Sequence, residues 1–188
     1  MSKKSGPAIF MYSVIAAALT VAAVCFGLYY SGVFKNGIVL WTGVTTFTLT
    51  YHFWGRIIMG NITRHWGIRH DHWWFKERKF EKRLYKFLRV RKWKEKVLTF
   101  DPDAFSREKH SLEEIANAMS KAETDHWINQ LISLSTLLFS LLWGEFPIFL
   151  ITAVAAMIFD AQFIVVQRFN RPYVLRYIER KNSRETAE

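Results

Sequence analysis

Glu123-x-x-His126 is the sharpest chemical constellation in this 188-residue chain. Residues three apart on a helix are neighbours, so the carboxylate can accept the imidazole N–H and fix its tautomer. The other ring nitrogen is then free to take a proton from a hydroxyl, as a general base near neutral pH does. Two other uses compete. The pair can serve as an interfacial ion pair at a helix end, of small energetic weight. It can also ligate metal, although Glu-x-x-His serves di-iron bundles in pairs and this chain has one copy. His65, His70, Asp71 and His72 add a weak metal signal from a basic loop. The reading adopted here has no metal and no bound cofactor.

Further polar residues sit inside apolar stretches, where an ionisable group costs about 2.5–3.5 kcal/mol on insertion scales. Thr45, Thr48, His52 and Arg56 recur at steps of three and four, so they share one helix face. Glu123, His126, Gln130 and Ser133 share another, and Asp160, Gln167 and Arg171 a third. His52, Gln130 and Asp160 each lie about 10 Å from the inner end of their helix at 1.5 Å per residue. Matched depth predicts one polar pocket opening to the cytoplasm. The plainer alternative is polar glue between helices, worth about 0.6 kcal/mol per bond. A Gly-rich phosphate loop, a G-x-S-x-G elbow and the His-x4-Asp pattern of glycerolipid acyltransferases are all missing.

Positioning such residues takes membrane helices. The chain is 51% hydrophobic and 16% aromatic, with eight Trp, yet its formal net charge is +10. Apolar and basic residues are segregated along it, which argues against a soluble globule. A helix needs about 20 apolar residues to cross the hydrocarbon core. Four segments qualify: 8–30, 37–59, 125–143 and 146–167. The first is too long for a signal-peptide h-region and reads as a retained span. Pro147 suits the first turn of a new helix, so the last two spans form a tight antiparallel hairpin. The single Cys25 permits no intramolecular disulfide and no Cys-based zinc cluster.

Between Arg64 and Lys96 stand thirteen Lys or Arg against four acids. Basic loops stay cytoplasmic, which puts the 60–124 loop, the N-terminus and the 168–188 tail inside. Within the loop, Trp73–Trp93 (WWFKERKFEKRLYKFLRVRKW) places Phe80, Leu84, Phe87, Leu88 and Val90 on an approximate helical stripe among Lys and Arg. A basic, aromatic-rich amphipathic helix fits the membrane surface. Nucleic acid is the rival partner for such a patch, and the flanking spans argue against it. Ser111 with Glu114 has the capping-box pattern of a second helix, placed to run on into the third span. The expected fold is therefore all-α: one polytopic membrane domain with four transmembrane helices and an interfacial basic helix.

Three blocks in order carry a resemblance: Leu84–Lys94 (LYKFLRVRKWK), Ala122–Ile128 (AETDHWI) and Ile164–Pro172 (IVVQRFNRP). Together they resemble the glycosyl-4,4'-diaponeurosporenoate acyltransferase family of staphyloxanthin-type carotenoid biosynthesis. The similarity covers roughly residues 80–180, so the first two spans lie outside it. The resemblance implies a bacterial cell-membrane acyltransferase that esterifies a glucosyl hydroxyl on a carotenoid acid, or a related glycolipid, with a fatty acyl chain. Tyr173 departs from it, standing where a second basic residue is common.

On that basis His126, oriented by Glu123, is expected to deprotonate the sugar hydroxyl for attack on an acyl thioester. Arg91, Lys92, Lys94, Arg168 and Arg171 are expected to hold the phosphates of acyl-CoA or the acidic face of an acyl carrier protein. Asn170 or Gln167 is expected to donate to the oxyanion. His52, Arg56, Gln130 and Asp160 are expected to line the acceptor pocket. Rival readings are a metal-dependent membrane enzyme using Glu123, His126, His52 and Asp160, and a non-catalytic scaffold reading anionic lipid. Four short spans make a small wall for a lipid-sized pocket, and whether the chain is a homo-oligomer stays open.

Overall fold

In a computed structural model that describes residues 6–97, 99 and 101–185, every regular element among the described residues is helical. The chain divides into two units, Met1–Met59 and Gly60–Glu188.

The first unit holds α1 (Gly6–Tyr30) and most of α2 (Gly37–Thr63). Small residues set their spacing. Ala18 and Ala22 are buried, and a Cβ at Gly43 would lie 3.0 Å from the Phe26 ring. Thr46, Thr48 and Thr50 of α2 bond back to their own helix, Thr48 Oγ1 donating to the Val44 carbonyl at 2.8 Å.

The second unit is built on α4 (Leu112–Ser135) and α6 (Phe146–Glu185). Helix α4 passes through a 3₁₀ turn, Thr136–Phe139, into the short α5 (Ser140–Trp143). The chain then reverses at Gly144 and Glu145, both with positive φ (74° and 55°). Glycine carries the first of these at no steric penalty. Helix α6 runs for 40 residues with Pro172 inside it, so the expected tail after 167 begins as a continuation of the same helix.

Ser111 caps α4 as its pattern predicts. Its Oγ accepts from the Glu114 N–H at 3.2 Å, while Glu114 Oε2 accepts from the Ser111 N–H at 2.8 Å. The helix then runs unbroken into the expected third span. Those Ser111 bonds hold the Glu114 carboxyl below the usual carboxylate range. A depressed folded-state pKa adds stability above the unfolded value and loses it as pH falls through the folded one. Ser111→Ala is expected to cost about 1 kcal/mol in thermal unfolding at neutral pH. The variant's deficit should shrink only in part in acid, where the carboxylate half of the box is lost while Ser111 Oγ still accepts from the Glu114 N–H.

The basic loop differs from its expectation. Of the expected Trp73–Trp93 helix only Glu81–Phe87 is α-helical (α3), flanked by 3₁₀ turns at Trp73–Phe75, Val90–Lys92 and Lys94–Lys96. Arg89 ends the helix by taking the left-handed conformation (φ 51°), and Trp93 Nε1 donates back to the Leu88 carbonyl at 2.9 Å. Residues Tyr85 and Val90 turn inward against Phe169, with Trp93 and Val165 packed around them. Phe80 and Phe87 of the expected stripe stay exposed (59% and 83%). The loop is thus folded onto α6 as well as presenting an aromatic, basic exterior.

Two helices among the described residues are long and apolar enough to cross a membrane, Ile9–Tyr30 and Phe146–Glu185. Fewer than a quarter of the residues in each apolar window are buried, unlike the core helix of a soluble protein. The other two expected spans lie on more polar helices.

Candidate active site between two helices

The side chains that meet between α4 and α6 form two clusters. In the first, His126 Nδ1 lies 2.8 Å from Asp160 Oδ1. The carboxylate is 1% exposed and accepts a second bond from Asn129 Nδ2 at 3.3 Å. Phe163 stacks on the imidazole with centroids 4.4 Å apart and rings 4° from parallel. With Nδ1 donating to a carboxylate, Nε2 carries the lone pair. The ring keeps 21% of its surface, so the group is held but reachable. Gln130, one turn further, donates Nε2 to the Met157 carbonyl at 2.9 Å and ties the two helices together.

The carboxylate that orients His126 is therefore Asp160 and not Glu123, which corrects the expectation from sequence. Glu123 is fully buried and engaged elsewhere. Its Oε1 accepts from Arg168 Nε at 2.7 Å and its Oε2 from Arg171 Nη1 at 2.7 Å. Arg168 also donates through Nη1 to Glu81 and through Nη2 to the Trp74 carbonyl at 2.5 Å. Arg171 donates Nη2 to the Phe75 carbonyl at 2.8 Å and lies over the Phe75 ring. Tyr85 closes the chain by donating to Glu81 Oε2 at 2.7 Å. Burial, followed by the Glu81 carboxylate, pushes the Tyr85 phenol upward, so it stays protonated as a donor.

This second cluster contains two carboxylates and two guanidiniums, which balances its charge. It also corrects the expected role of Arg168 and Arg171. Arg171 is 1% exposed, and both donate to carboxylates and carbonyls of this chain, so neither faces a ligand phosphate. The metal reading loses Glu123 for the same reason. His70 and Asp71 are likewise engaged, with Asn117 and Arg69. The cluster's work is to fasten the 73–87 segment onto α4 and α6.

Beyond it, a groove of about 650 Å³ opens beside α6. Arg91, Lys94 and Arg107 line it, over a floor that includes Ile115, Met119 and Phe169. Lys94 Nζ donates to Asn170 Oδ1 at 3.0 Å, and Arg91 Nη2 to the Tyr173 hydroxyl at 3.4 Å. Of the five expected phosphate-binding cations, the groove gathers Arg91 and Lys94. Lys92 is exposed and lies outside its lining. Asn170 belongs here too, ten residues along α6 from Asp160. That is about 15 Å at the helical rise, which removes Asn170 from the oxyanion role. Gln167 is half-buried on α6. His52 is buried in the first unit, and Arg56 lies there over Phe53 at 5.9 Å.

Sequence reasoning missed the partners Glu81, Tyr85 and Arg107. Glu81 had a signal, being an acid amid a run of bases. The Asp160 pairing had one as well: His126 and Asp160 lie almost equally far from Gly144 on the two arms of the hairpin.

No curated protein and no solved structure matches the chain. The family model for glycosyl-4,4'-diaponeurosporenoate acyltransferase matches residues 71–180, more than half of the sequence and the stretch that carries both clusters and the groove. The chain belongs to this family of acyltransferases.

Proposed function

We propose that the protein is a membrane O-acyltransferase acting on a hydroxyl of a glycosylated lipid, a glycosyl carotenoid acid or a related glycolipid. The observation that carries this reading is the His126–Asp160 pair, a reachable imidazole held by a buried carboxylate. His126 Nε2 takes the proton of the sugar hydroxyl as its oxygen attacks the carbonyl carbon of an acyl thioester. Asp160 keeps Nδ1–H in place and stabilises the imidazolium. The tetrahedral intermediate then collapses, the C–S bond breaks, and the proton passes from Nε2 to the leaving thiolate. An ester and a free thiol result. Arg91 and Lys94 attract the anionic part of the donor.

The chain crosses the membrane four times in this reading, with both termini and the basic loop in the cytoplasm. Support comes from the positive loop and from the outer surface of the hairpin. Leu131, Leu138, Leu141, Leu142, Ile151 and Ile158 are all more than 60% exposed, an apolar belt suited to lipid. Exposed Trp73, Phe80 and Phe87 among Lys and Arg suit the headgroup boundary.

The test reconstitutes the purified protein in vesicles with a glycosyl carotenoid acid and a labelled long-chain acyl thioester. Mass spectrometry should find the sugar ester. A protein that makes no ester from this or any glycolipid acceptor is not the enzyme described.

A further inference from the structure

We infer that the groove beside α6 is a nucleotide site, so that the acyl donor is a coenzyme A thioester and not an acyl carrier protein. This rests on the acyl-transfer reading above. A carrier protein offers an acidic helix to an open basic surface and threads only its prosthetic arm into the enzyme. A coenzyme A donor brings phosphates, a ribose and a flat base that must all be housed. The volume here, about 650 Å³, lies within the range of small-molecule pockets.

Its chemistry is divided in the way a nucleotide requires. Arg91, Lys94 and Arg107 supply cations at the rim, and guanidinium forks suit phosphate oxygens. Their positions are fixed by Tyr173, by Asn170 and by the Tyr177 ring, over which Arg107 lies at 5.1 Å. Phe105 and Val174, half-buried in the lining, offer the apolar surface on which a base can lie. Glu95 also lines the groove. A carboxylate there repels a purely anionic partner such as an acidic helix, but it can accept from a ribose hydroxyl or an exocyclic amine. In the topology proposed above, residues 169–174 lie just past the last span on the cytoplasmic side, where coenzyme A is found.

Calorimetric titration of the full-length detergent-solubilised protein with adenosine 3',5'-bisphosphate tests this directly. We expect saturable binding that inorganic phosphate at the same concentration does not reproduce. Arg107→Gln and Lys94→Gln should each weaken it about tenfold or more, the scale of one charge-assisted contact. His126→Ala should leave it intact. The bisphosphate should also inhibit acyl transfer competitively with acyl-CoA. Binding unchanged in both groove variants overturns the inference. So does transfer from acyl carrier protein that the bisphosphate fails to inhibit, or displacement of the bisphosphate by phosphatidylglycerol vesicles. If the groove binds the bisphosphate while no thioester supports transfer, the acyltransferase reading falls and the nucleotide site stands.

Discussion

His126→Ala is expected to lower acyl transfer about 10²–10⁴-fold, the usual contribution of a positioned general base. The loss should fall on kcat with KM for the acyl donor unchanged, because the groove that holds the donor is a separate feature of α6. Asp160→Asn should approach the same loss while preserving shape. An amide facing Nδ1 can present its N–H₂ and favour the tautomer with the proton on Nε2, which cannot accept the hydroxyl proton; in a serine protease triad that change costs about 10⁴-fold. Asn129 donates to the same Oδ1 that His126 contacts and so opposes this reversal, which makes the size of the loss a measure of which way the new amide turns. Single-turnover transfer by purified variants in one detergent measures both. Full activity in His126→Ala would sink the mechanism.

The second large effect belongs to stability. Glu123→Gln removes the carboxylate that Arg168 and Arg171 both contact and leaves the second guanidinium buried against a neutral amide. Breaking one partner out of a buried ion pair costs about 3–5 kcal/mol, most of it the unpaired charge left behind. A charge-balanced replacement should behave differently. Glu123→Leu with Arg171→Leu removes one acid and one base, keeps Arg168 with Glu81, and substitutes apolar volume for the pair. Such exchanges are often neutral or stabilising. Tryptophan fluorescence during thermal unfolding should therefore show a large loss for the single variant and recovery of most of it in the double. Equal losses in both would mean that the network stabilises through geometry that leucine cannot replace. Residual catalysis in the folded fraction of Glu123→Gln would separate this role from that of Asp160.

The two effects also mark what could be read from residues alone. The hairpin, the cap at Ser111 and the helical class follow from local rules: apolar length, turn chemistry and a side chain bonding three residues on. Glu123 and His126 were both visible as chemical residues. Their pairing was misjudged because spacing along a helix gives the nearest neighbour on one element only. Across the hairpin, Arg168 and Arg171 outcompete the imidazole for Glu123, two guanidinium forks being stronger partners for a buried carboxylate than one ring N–H. The amphipathic stripe failed for a related reason. Its periodicity was real, yet Arg89 breaks the helix so that Tyr85 and Val90 can reach Phe169. Local pattern carries no information about that distant ring. Arg107 gave no sign at all, since a lone arginine after a turn is ordinary until the fold brings it beside Arg91 and Lys94.

Helix α6 is one uninterrupted rod that carries, in order, the carboxylate of the base, the ionic clamp and the donor groove. It therefore acts as a ruler. Asp160 and Tyr173 are separated by about 20 Å along the helix axis, a distance greater than one side chain spans. A thioester anchored in the groove must carry its own tether long enough to bridge it. Short synthetic donors that keep the acyl group but lack that tether would arrive unregistered, and the enzyme would discriminate against them by length before any chemistry began.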